Sequence, residues 1–121
     1  MAKMTTLRRG MVIDVNLNPT KGAEMAKVRP CVIVTNDVYN ARVPVIQVVP
    51  ITAWSQKKGR IRTNVEIQPQ STNGLSKRSI VDCLQTRPID VSHRMLKVRG
   101  ELSPTEMHRI DEALKIVFAL S

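Results

Sequence analysis

Aromatic residues are nearly absent: Tyr39, Trp54 and Phe118 are the only three in 121 residues. A module that binds RNA purely by stacking bases on its surface needs more of them, which weighs against a plain RNA-binding barrel. Cysteine and histidine are equally scarce, with two of each. Cys31 and Cys83 lie far apart in apolar surroundings, without the paired spacing of zinc or redox motifs, so both are expected to be buried free thiols. His93 and His108 fall at no ligand spacing with another His, Cys or carboxylate. Each is read as a surface histidine, and neither a metal site nor a cofactor is expected. Also missing are a phosphate-cradling glycine loop, a nucleophile elbow and a Cys–His pair. No apolar run approaches the roughly 20 residues needed to span a bilayer. Met1 to Gly10 lacks the apolar stretch of a signal peptide, so the cytoplasm is the expected compartment.

Acidic residues are the last shortage, with 10 Asp and Glu against 19 Lys and Arg, a net charge of +9. Such a balance attracts polyanions and says little about fold. The charge is uneven: the first 100 residues hold 17 basic and 6 acidic side chains, a net +11, whereas the last 21 are net −2. The basic surface therefore belongs to the body of the chain, and the C-terminal segment reads as scaffold or interface.

Short β-branched runs separated by Pro, Gly and Asn make up most of the body: Met11 to Leu17, Cys31 to Thr35, Val43 to Pro50, Ile61 to Ile67 and Ser79 to Gln85. Five strands so closely spaced suggest a compact barrel. Met11, Ile13, Val15 and Leu17 alternate onto one face, while Cys31 to Val34 and Val45 to Val49 are more uniformly apolar, as expected for strands covered on both faces. The ending differs. Ser103, Pro104, Thr105 and Glu106 form a capping box with proline at the first helical position, so a helix must start there. Leu102 and Met107 stand at staple spacing, and Met107, Ile110, Leu114, Val117 and Phe118 form one apolar stripe. The length suits one domain over residues 1–121, with a loose N-terminal tail over residues 1–8.

Two polar, basic connections stand out in so small a chain, Asn18 to Val28 and Ala53 to Arg60, and loops set on a rigid scaffold are where function concentrates. The first carries Lys21, Gly22, Glu24 and Lys27. The second carries Gln56, Lys57, Lys58 and Arg60, and with Arg62 it could track a nucleic-acid backbone, although charged runs are often only solvated faces. Trp54 could stack a base or serve as half-buried core. Arg29 lies between the first loop and an apolar strand, directly before Pro30, which biases it to an extended backbone. There its planar fork could meet a phosphate, or it could be a surface arginine at a strand start. Thr52 follows the apolar run ending at Ile51, where its hydroxyl could emerge at the rim, though threonine is also a good strand residue.

Taken in order, Gly22-x-Glu24, Arg29-Pro30, Ile51-Thr52 and Gln85-x-Arg87-x-Ile89-Asp90 resemble the MazF/PemK toxin family, with agreement running from Arg9-Gly10 through Asn18-Pro19-Thr20-Lys21-Gly22 to Asp111-Glu112-Ala113-Leu114. The resemblance implies an SH3-like β-barrel of about five to seven strands with a C-terminal helix. It implies a homodimeric endoribonuclease that cuts single-stranded mRNA at a short motif and is neutralised by an antitoxin. Arg29 and Thr52 then match the family's catalytic pair, Glu24 its loop glutamate and Gln85 a residue near the RNA. Lys21, Lys27, Trp54, Gln56, Lys57, Lys58 and Arg87 are further candidates for RNA contact. The chain departs from the family at Met11 and Leu84, where acidic residues are usual, and at Ile13, where an aromatic is common. These departures bear on base recognition and leave the catalytic pair intact. The competing reading is a non-catalytic toxin of the same barrel type that poisons a protein such as DNA gyrase, as CcdB relatives do.

Overall fold

The computed structural model describes residues 6–121. In chain order the elements are β1 (Met11–Asn16), β2 (Val28–Ile33), a short helix α1 (Asp37–Asn40), β3 (Val45–Ala53), α2 (Gln56–Gly59), β4 (Asn64–Ile67), β5 (Ser79–Asp82), a 3-10 turn (Cys83–Gln85), β6 (Arg87–Asp90), α3 (Val91–Arg94), β7 (Met95–Glu101) and α4 (Pro104–Phe118). All strand pairs are antiparallel, in the order β4-β5-β3-β2-β1-β7, with β6 pairing the first half of β3. The strands β6 and β7 were not among the five runs read from periodicity, because Arg87, Pro88, Lys97 and Arg99 interrupt their apolar alternation.

The sheet is open rather than a closed barrel: among the described residues β4 and β7 form no ladder with each other. With only four residues, β4 is short, and the connection that follows it reaches β7 instead. The Glu101 N–H donates to Thr72 O at 2.8 Å, and Arg99 Nη1 donates to Gly74 O at 2.9 Å. Glycine is required at this crossing. Gly74 has φ +69°, and a Cβ on Gly100 would lie 2.3 Å from Thr72 O.

Alternation along each strand sends neighbouring side chains to opposite faces, and both faces are buried. Val12, Val32, Val49, Ile51, Val65, Ile67 and Val81 point to the first, where Met107, Ile110 and Ala113 of α4 cover them. Ile13, Val15, Leu17, Cys31, Ile33, Ile46, Val48 and Ile89 point to the second, under Leu7, Met25 and Met95. Met11 joins the second group, so the expected alternation in β1 holds.

Helix α4 begins as expected, with both halves of the capping box formed between Ser103 and Glu106, and Leu102 and Met107 are both buried. Its covered side comprises Met107, Ile110 and Ala113, flanked by Leu114 and Val117. Phe118, expected on this stripe, is 56% exposed, because the last turn carries it past the core. The loose tail expected over residues 1–8 falls in part on residues 1–5, which lie outside the described residues. Leu7 packs into the second face, and Arg8 pairs with Glu101 at 3.0 Å.

Candidate active site

The register of β2 on β3 brings two of the expected residues together. Val32 pairs with Val49 and Cys31 with Pro50, and continuing the ladder by two residues sets Arg29 opposite Thr52. Arg29 Nη1 donates to Thr52 Oγ1 at 3.3 Å, and Arg29 Nε donates to the Ala26 carbonyl at 2.9 Å. The guanidinium is thus held at two points, and its second terminal nitrogen has no partner among the described residues. Because the Thr52 oxygen accepts from Arg29, its own O–H proton remains available to donate. Both side chains are half-buried at the rim of the second core face. Directly beneath them, burial pushes the Cys31 thiol up to about 12, despite the opposing pull of Arg87 and Arg29, so it stays protonated and is no nucleophile.

The β1–β2 loop supplies the other side of the site. Glu24 Oε1 accepts from the Lys21 N–H at 2.8 Å, and the Glu24 N–H donates to Lys21 O at 3.1 Å, which closes a tight reciprocal turn. Gln85 reaches the loop from the 3-10 turn. Its Nε2 donates to Ala23 O and its Oε1 accepts from the Met25 N–H, both at 3.2 Å. Arg87 Nη1 donates to Leu17 O at 3.1 Å, and Arg94 Nη1 donates to the carbonyls of Asn16 and Asn18 at 3.0 and 2.7 Å. Glu24 and Gln85 line an open cavity of about 580 Å³ together with Ala23, Leu84, Thr86, Arg87 and Pro88. Lys21 and Lys27 are exposed on the same loop.

On the β3–β4 connection, Ser55 caps α2 by accepting from the Lys58 N–H at 3.2 Å, and Gln56, Lys57 and Lys58 are exposed along it. The Arg78 guanidinium lies 3.6 Å above the Trp54 ring, a cation–π contact that already occupies one indole face. Gly59 packs on the indole edge, where a Cβ would come within 2.7 Å of Nε1. Asp82, at the end of β5, is half-buried. Desolvation raises its carboxyl above the ordinary range, opposed by the Leu84 amide, Lys58 and the Gln85 amide. Among the described residues no three His, Cys, Asp or Glu side chains are grouped as metal ligands would be. No helix among them is long and apolar enough to cross a membrane.

The family described as PemK-like, MazF-like toxin of type II toxin-antitoxin system matches residues 8–118. The chain belongs to this family. Endoribonuclease EndoA of Bacillus subtilis (strain 168) is 35% identical to it over 114 residues, covering 94% of this chain and 96% of that one. The Mycobacterium tuberculosis toxin MazF-mt6 superposes with a TM-score of 0.72 at 26% identity, covering 93% of this chain and 99% of that one. MazF from Deinococcus radiodurans has a TM-score of 0.81 at 19% identity, covering 96% and 99%, a likeness of fold.

Within this PemK/MazF chain the residues singled out from sequence form three groups. Arg29 and Thr52 touch each other, Glu24, Gln85 and Arg87 share the cavity wall, and Trp54, Gln56, Lys57 and Lys58 stand on a separate connection. The backbone of Met25 and Ala26 links the first two groups. Sequence reading missed Arg78, Asp82 and Arg94. Their roles arise from partners distant in the chain, and no local motif marks them.

Proposed function

We propose that this PemK/MazF family member is a toxin endoribonuclease that cuts single-stranded mRNA at a short sequence motif, without a metal ion. The observation that carries the reading is the Arg29–Thr52 contact: a fixed cation and a polarised hydroxyl presented side by side at the rim of a basic body. Its support in kinship is membership of a toxin–antitoxin family and likeness to a named endoribonuclease.

In this mechanism the ribose 2′-oxygen attacks the adjacent phosphorus. The new O2′–P bond forms as the P–O5′ bond breaks, which leaves a 2′,3′-cyclic phosphate and a 5′-hydroxyl. Arg29 grips the non-bridging oxygens and stabilises the charge that develops on them. Its pKa above ~12 makes it a poor base. Thr52 donates a hydrogen bond to the same phosphate. The 2′ proton passes to Glu24 or to a water, and the departing 5′-oxygen takes its proton from water. Lys21, Lys27, Lys57 and Lys58 attract the backbone, and Gln56, Trp54, Gln85 and Arg87 are the further candidates for RNA contact in this reading.

The reading includes a homodimer, which would cover the exposed Ile116, Phe118 and Leu120 at the end of α4. It also includes action in the cytoplasm and neutralisation by an acidic, partly disordered antitoxin that folds over the basic surface. The test is to incubate the purified protein with a mixed RNA pool in chelator and map the new ends. Cleavage should persist, leave cyclic phosphate ends, and stop at a site whose 2′-hydroxyl is replaced by hydrogen. Cleavage at the deoxy-substituted site would overturn the mechanism.

A further inference from the structure

We infer that Gln85 is a positioning residue whose work is to clamp the backbone on both sides of Glu24; as a statement about catalysis, this rests on the function proposed above. Ala23 and Met25 flank Glu24, and the two ends of one side-chain amide hold them: Nε2 on Ala23 O and Oε1 on the Met25 N–H. Apart from the Arg29 bond to Ala26 O, these are the side-chain hydrogen bonds that reach residues 22–26 from outside the loop among the described residues. Residues 21–24 are exposed, and the Lys21–Glu24 hydrogen bonds hold them only to one another.

The platform behind Gln85 is rigid. Cys83 is fully buried, its N–H donates to Thr63 O at 3.1 Å, and Thr86 Oγ1 donates to Val48 O at 3.3 Å. An amide anchored to the core therefore reaches out to the exposed turn of a loop whose ends are held separately, by Met25 packed on the core and by the Lys27 bonds to Leu17 and Asn18. The next residue along, Ala26, fixes Arg29 Nε. One clamp thus positions both the candidate proton acceptor and the backbone support of the phosphate grip.

The chemistry requires an amide of this length. Glutamate could accept from the Met25 N–H but would set a carboxylate oxygen against the Ala23 carbonyl, and asparagine is one methylene too short to bridge the pair. One N–H and one lone pair of Gln85 are engaged by the loop backbone.

The test uses the whole protein, free of RNA and then with a cleavable RNA. In Gln85→Ala, amide hydrogen exchange at Met25, followed residue by residue by NMR, should speed up by about 3- to 10-fold, with Val32 and Val49 unchanged as controls for global folding. With RNA, kcat should fall by about 10- to 100-fold while KM moves much less. Gln85→Glu should resemble Gln85→Ala in both measurements. Unchanged Met25 exchange, or a loss confined to KM or to the choice of cut site, would overturn the inference and make Gln85 an RNA contact. Restoration of wild-type exchange and kcat by Gln85→Glu would overturn it as well. If the wild-type protein cuts no RNA, the proposed function fails, and Met25 exchange still decides whether the clamp exists.

Discussion

One face of the sheet is sealed by helix α4, and the other is covered piecemeal by Leu7, by Met25 of the polar β1–β2 loop and by Val91, Met95 and Val98. A helix satisfies its own backbone hydrogen bonds, so it can cover a core with Met107, Ile110 and Ala113 and needs outside help only at its caps. A loop has no such internal ladder, and its carbonyls and amides must be met by side chains from elsewhere. Here Gln85, Arg87, Arg94 and Arg29 meet them. The helix side is thus built for stability, whereas the loop on the other side is held by a few hydrogen bonds at a basic rim, which is where the proposed function puts the chemistry.

Mutations on the two sides should separate these properties. The largest effect is expected from Arg29→Ala, which should lower RNA cleavage by about 1,000-fold with the thermal midpoint nearly unchanged. Arg29→Lys should recover little, because a point charge lacks the planar fork. Activity in the alanine variant within a few fold of wild type would erase the functional half of the contrast.

Next comes Ile110→Ala on the helix side. Ile110 is completely buried, so its truncation should cost about 2–5 kcal/mol in denaturant unfolding and leave the residual folded fraction active. A cost well under 1 kcal/mol would mean that α4 does not seal that face.

The smallest effect belongs to Asp82, whose carboxyl burial raises above the ordinary carboxylate range. A carboxyl with a folded pKa above its unfolded value supports folding fully only below the unfolded pKa, and that support is lost as pH rises through the folded pKa. Asp82→Asn should therefore raise the thermal midpoint at neutral pH, and the gain should shrink on acidification toward about pH 4. A gain that grows on acidification would reverse the assigned cause.

Much of this was legible in the residues. The Ser103–Glu106 box and the period-2 alternation of Met11, Ile13, Val15 and Leu17 are local patterns, and each appears in the structure where it was read. The two buried free thiols were legible too, since the cysteines lie far apart in the chain without the paired spacing of metal or redox motifs. The limits of that reading lie at long range. Phe118 keeps helical spacing and still misses the core, because spacing does not say where the underlying sheet ends. A compact barrel was expected from the close spacing of the strands, whereas β4 and β7 form no ladder among the described residues and the connection after β4 meets β7 across Gly74 and Gly100. Trp54 was visible as the single tryptophan, whereas its partner Arg78 was not.

The sequence by itself determined α4, the two-faced strands, the basic body and the family to which the chain belongs, because each is written in neighbouring residues or in the order of short motifs. Only the tertiary structure decided that Arg29 stands opposite Thr52, that Gln85 grips the backbone around Glu24, and that one core face is closed by a helix while the clamped loop gives the other part of its cover. Those arrangements depend on strand register and on hydrogen bonds between residues far apart in the chain, which local propensity and periodicity do not encode.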